Sequence, residues 1–129
     1  AEGVQIGSRF VASVESSAHV NFKKRVVEAG EGETLLTLKE LTPVRLLNNK
    51  FFNDVMQAYQ RGATKEELAA LLGRGRAKKG MFEGDLDEGE LEIGQVSGMI
   101  QEILPAAEIL REILQEFNQV TQQLGSVRL

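Results

Sequence analysis

The chain has 129 residues, 42% apolar and 26% charged, enough for one domain with a core and too short for two comfortable ones. Its net charge of −4 argues against nucleic acid or an anionic membrane as the main partner, since either needs a surplus of Lys and Arg. Cysteine is absent, which excludes a disulfide framework, a thiol nucleophile and a Cys-ligated metal.

In chain order, the first element is a strand over Gly3–Ile6, with apolar residues at alternate positions. Gly7-Ser8 breaks it as a turn, and Phe10, Val11 and Ala12 continue the apolar pattern. A strand that ends in a Gly-Ser turn before a helix is one way to build a phosphate cradle. A single strand makes no sheet, and its neighbours are not evident. Ser17 is a candidate cap for a helix to about Ala29, with Ala18, Phe22 and Val26 at four-residue spacing and Gly30 as the stop. Glu31-Gly32 reads as a turn and Thr34–Leu38 as extended; Pro43 then interrupts the chain. From about Asn49 a helix carries Phe51, Phe52, Val55, Met56 and Tyr59 on one stripe and stops at Gly62. Thr64 and Glu67 form a capping box for a short helix through Leu72, ended by Gly73. Residues 73–92 are rich in glycine and charge, with a helical turn or two around Ala77. A further helix is expected over Glu92–Leu104. After Pro105 comes the most strongly helical stretch, striped by Ile109, Ile113, Phe117, Val120 and Leu124 and widened by Leu110 and Leu114. No apolar run approaches membrane-spanning length and no basic-then-apolar leader pattern is evident, so a soluble, cytoplasmic protein is expected.

Four constellations invite a chemical reading. His19 is the only histidine and sits at the start of a helix, where a polar surface or packing role is the simpler account. One histidine assembles no metal site by itself. The acidic run EGDLDEGELE (83–92) lacks calcium-loop spacing: Gly89 is fifth from Asp85, and the twelfth position is Val96. A solvated acidic loop is the plainer reading, and the basic run GRGRAKK (73–79) reads likewise as surface. GQVSG (94–98) places Gly94, Ser97 and Gly98 on one helical face, although glycine in a helix interior costs about 1 kcal/mol each. Close packing is the simple explanation of those glycines, and the wall of a ligand site the sharper one.

Two of these stretches together resemble the nitronate monooxygenase (2-nitropropane dioxygenase) family, which includes the flavin-dependent enoyl-acyl-carrier-protein reductases. The family's last barrel strand and its sequel carry Gly-(Thr/Ser)-Arg-Phe, then Glu-Ser/Cys and Ala-His, then a helix with Lys. Here these are Gly7-Ser8-Arg9-Phe10, Glu15-Ser16, Ala18-His19 and Lys23-Lys24. Near the C-terminus, EGDLDEGELEIGQVSGMIQEILPAAEILREIL is similar to the family's Gly-Asp, Ala-Gly-Gln-x-(Ala/Ser)-Gly and Pro-Ala-x-Glu-Ile segments. The departures are Ser8 where Thr is commoner and Ile93 where Ala is usual.

The resemblance implies an FMN-binding (β/α)₈ barrel with an added helical region, and such a barrel needs about 250 residues. It therefore implies that this chain is a C-terminal piece, with 1–30 as last strand, phosphate turn and helix, and 31–129 as helical region. The absence of an initiator Met before Ala1-Glu2-Gly3 points the same way. Gln5, Ile6, Gly7 and Ser8 are the implied FMN-phosphate residues, no catalytic or metal residue is expected here, and His19 does not substitute for the family's catalytic histidine. The implied function is the C-terminal portion of an FMN-dependent oxidoreductase, of nitronate-oxidising or enoyl-thioester-reducing type, inactive and without FMN affinity by itself. The alternative is a stand-alone helical interaction or oligomerisation module. For the isolated chain the expected fold is mainly α with one to three short strands, the helices from Ser17, Asn49, Glu92 and Ala106 forming its core. Exposed barrel-facing residues (Phe10, Val11, Phe22 and the Phe51–Tyr59 stripe) would favour a homo-oligomer.

Overall fold

Residues 2–7 run without regular structure into a four-residue helix, α1 (Ser8–Val11), in a computed structural model that describes residues 2–127. The expected strand at Gly3–Ile6 is not formed, because among the described residues no neighbouring strand pairs with it. Tight turns over 12–18 follow, and α2 (Val20–Val27) begins at His19 rather than at Ser17. Ser17 lies two residues before the capping position and makes no cap; His19 Nδ1 instead accepts from Asn21 N–H at 3.1 Å, after a turn in which the Ser16 hydroxyl accepts the Ala18 N–H.

The sheet has two strands, β1 (Thr34–Thr37) and β2 (Val44–Leu47), antiparallel and paired from Thr34↔Leu47 to Thr37↔Val44. β2 was not anticipated: Pro43 stands just before it, where its missing N–H removes no hydrogen bond from the ladder. β1 stops one residue short of the expected end because buried Leu38 turns into the left-handed region, at φ 52. Helix α3 (Lys50–Gln60) is capped by Asn49, whose Oδ1 accepts Phe52 N–H at 2.9 Å. Helix α4 (Lys65–Leu72) has the expected Thr64–Glu67 capping box. A π-helical turn over Lys78–Phe82 follows.

No helix spans Glu92–Leu104. Leu47 N–H donates to Leu91 O at 3.0 Å and Ile93 N–H to Arg45 O at 3.2 Å, so residues 91–93 line the free edge of β2. Leu91 and Ile93 point inward at alternate positions, the period of a strand, and both are buried. A short 3₁₀ helix, Gln95–Met99, is all that remains of the expected helix. A parallel bridge then joins Ser13 and Leu104, with Val14 N–H on Leu104 O at 2.9 Å. Pro105 opens α5 (Ala106–Ser126).

Two cores lie on either side of β2. Leu46 faces one, with Leu38, Phe51, Phe52, Val55 and Leu68; Leu47 faces the other, with Ala12, Phe22, Val26, Leu91 and Ile100. Each fully buried side chain of this size contributes about 1.5–3 kcal/mol. Phe22 and the Phe51–Tyr59 stripe are therefore inward-facing rather than exposed, which corrects the reason given for self-association. Helix α5 also departs from expectation. Ile109 is its sole buried residue among those described, while Leu110, Leu114, Phe117, Val120 and Leu124 are each more than half exposed. Among the described residues the architecture is mainly helical with one two-stranded sheet. No helix among the described residues is long and apolar enough to cross a membrane.

Candidate functional site

The Gln5–Ser8 stretch is exposed as far as Gly7 and half-buried at Ser8. Among the described residues, the N–H groups of Gln5, Ile6, Gly7 and Ser8 meet no acceptor. Gly7 caps α1 with its carbonyl, which accepts Phe10 N–H at 2.9 Å and Val11 N–H at 3.3 Å. Its φ of −106 is ordinary, and a Cβ built there meets nothing within 4 Å. Open donors on a short turn suit an anion with several acceptor oxygens, such as a phosphate monoester.

Ser8 ties this turn to the other motif. Gly94 N–H donates to Ser8 Oγ at 3.1 Å, across 86 residues of chain. A Cβ on Gly94 would stand 2.7 Å from that oxygen. At the far end of the same short helix, a Cβ on Gly98 would lie 3.1 Å from Gly30 O, and Ser97 between them is fully buried. The two glycines of GQVSG thus each serve a close approach, one to the Ser8 turn and one to the loop after α2. Arg9 adds a second strap, its Nη1 donating to Glu102 O at 3.1 Å.

The remaining motif residues act on the fold. His19 caps α2 and packs on Gly84, where a Cβ would overlap its ring. Lys23 is buried, and its Nζ donates to Ser16 O at 2.8 Å and Val14 O at 3.1 Å, closing the turns that follow α1. The basic run is spent on structure: Arg76 donates to the Leu71, Leu72 and Glu88 carbonyls and stacks on Phe51, Lys78 pairs with Glu83, and Lys79 pairs with Asp85. In the acidic run, Asp85 accepts the N–H groups of Asp87 and Glu88, which hold its carboxyl below the usual range. No cluster of three metal-ligating side chains occurs among the described residues.

A cleft of about 460 Å³ opens beside this region, lined by Glu31, Thr34, Arg45, Gln95, Gly98 and Met99. Arg45 projects from β2, with Nη1 on Thr34 O at 2.9 Å. Sequence reading did not single it out, since an Arg within an unforeseen strand carries no motif.

The sequence model of the nitronate monooxygenase family matches residues 1–116. The chain belongs to that family. Within it, a probable nitronate monooxygenase of Bacillus subtilis (strain 168) is 29% identical over 117 residues, covering 90% of this chain and 33% of the relative. The solved structure of FabK from Thermotoga maritima shares 35% identity and superposes with a TM-score of 0.88 over 98% of this chain and 40% of that one. A point mutant of the same FabK gives 34% identity and a TM-score of 0.81. The chain thus spans about a third to two fifths of the length of these relatives.

Proposed function

We propose that this chain is the C-terminal portion of an FMN-dependent oxidoreductase of barrel fold, in which residues 1–30 supply the last strand, phosphate turn and following helix and residues 31–129 the helical region. The observation that carries the reading is the row of open main-chain donors at Gln5–Ser8, with Ser8 fastened to Gly94. In this reading those N–H groups and the Ser8 hydroxyl hold the FMN phosphate at the C-terminal end of a barrel strand, where such barrels bind phosphate. FMN, when bound, supplies the electron transfer; the residues of this chain bind and orient it. Family membership supports a flavin oxidoreductase, and the likeness to FabK, an enoyl-acyl-carrier-protein reductase, favours the enoyl-thioester branch over nitronate oxidation. Flavin-fluorescence titration tests the assignment. The full-length protein should prefer FMN to riboflavin, whereas this chain alone should bind FMN weakly or not at all. Tight FMN binding by the chain alone would overturn the reading of it as one part of the site.

Association is a separate proposal. The exposed stripe of α5 is a contiguous apolar face, of the kind that is normally covered. We assign it to the rest of the barrel in the full-length protein, and to a second copy when the chain is alone.

A further inference from the structure

We infer that Gly94 is a positioning residue for the flavin phosphate, acting through the Ser8 hydroxyl; the inference rests on the FMN reading above. A hydroxyl has one proton to donate and two lone pairs to accept with. The Gly94 N–H can only donate, so its 3.1 Å contact uses a lone pair of Ser8 Oγ and leaves the hydroxyl proton for another acceptor. Among the described residues no acceptor takes that proton. Ser8 is half-buried, at the end of the row of open N–H donors. The contact therefore orients Ser8 as a fifth donor of the Gln5–Ser8 set rather than as a competing acceptor.

The geometry also explains why position 94 is glycine. Its φ of −70 and ψ of 159 are open to any residue, so the backbone makes no demand. The demand comes from Ser8: a Cβ would lie 2.7 Å from Oγ, a distance that real contacts do not reach. The cheapest relief is rotation of the Ser8 side chain about χ1, which carries the hydroxyl out of its present orientation. The other end of the 95–99 helix is held by Gly98 against Gly30 and by buried Ser97, so retreat of the helix is the costlier response.

The test compares FMN with riboflavin, which lacks the phosphate, by fluorescence titration of the full-length flavoprotein. Ser8→Ala should weaken FMN about ten- to hundredfold, the loss carried by one hydrogen bond to a charged phosphate, and leave riboflavin unchanged. Gly94→Ala should reproduce that FMN-selective loss. The double variant should be no weaker than either single one, because both remove the same contact. The double variant also protects against misfolding of Gly94→Ala, since Ser8→Ala removes the atom that the new Cβ strikes. Wild-type FMN affinity in Gly94→Ala, equal loss of FMN and riboflavin, or losses that multiply in the double variant would each overturn the role of Gly94. Unchanged FMN affinity in Ser8→Ala would instead overturn the phosphate turn itself, and the inference with it.

Discussion

Asn49 Nδ2 donates to the carbonyl of Gly89 at 2.8 Å and to that of Leu86 at 2.9 Å, while its Oδ1 caps α3. One amide thus begins a helix and holds the acidic 83–92 segment against it. Asn49→Asp keeps an acceptor for the cap but turns carboxylate oxygens toward carbonyls. Urea unfolding of the chain should show losses of about 2–3 kcal/mol for both Asn49→Asp and Asn49→Ala. If Asp restored full stability, the cap alone would account for the residue.

Gly89 lies where two stretches of backbone cross. A Cβ there would overlap Gly80 Cα, and one on Gly80 would sit 2.8 Å from Glu90 O. Both neighbours are backbone and have no rotamer to change. Gly89→Ala should therefore cost about 3 kcal/mol or more, at the upper end for overpacking. Gly3→Ala, with open space around its Cβ, should move the unfolding midpoint little.

Glu90 gives the fold a pH dependence. Burial, and secondly the charge of Glu92, push its carboxyl from 4.5 up to about 7, against the opposing pull of Arg76. The folded chain prefers the protonated form, so this contribution is fully present below about pH 4.5 and is lost as pH rises through 7. The difference amounts to about 3 kcal/mol. Glu90→Gln should flatten stability between pH 5 and 8 and raise it at pH 8. Chemical denaturation across that range measures both effects.

Gly7 separates ligand from fold. With φ at −106 and open space around a Cβ, Gly7→Val should leave thermal unfolding of the chain nearly unchanged. In the full-length protein the same change should weaken FMN far more than Ser8→Ala, because a side chain there obstructs the approach of phosphate to main chain. Equal losses for the two variants would sink the assigned turn.

The α5 stripe predicts self-association of the isolated chain. Light scattering at micromolar concentration should show a dimer or larger species, and Phe117→Glu, at a position 65% exposed, should return it to monomer without loss of helicity. A clean monomer for the parent chain would contradict the assignment.

Local signals carried the helices and failed at pairings. The Thr64–Glu67 box, the α3 stripe and the Pro105 start of α5 are each written within a few neighbouring residues, and each is found. The edge pairing of residues 91–93 with β2 depends on Arg45 and Leu47, over forty residues away, so Glu92–Leu104 read as a helix. Inward and outward faces could not be assigned from the stripes alone, which is why Phe22 was expected outside and α5 inside. At the site, Gly7-Ser8 and GQVSG were each visible as motifs. Their contact was not, because no spacing rule joins residues 8 and 94.

The Ser13–Leu104 bridge returns the chain to the point from which it departed, beside the contact between α1 and α5. Both cores and the sheet lie largely within that excursion. A segment whose two ends adjoin is the kind of piece that can be grafted, lengthened or exchanged while the flanking chain keeps its path. For the architecture as a whole, the Ser13–Leu104 doorway and the Ser8–Gly94 contact beside it are the parts that must stay put, whatever changes in length the exposed loops between them accept.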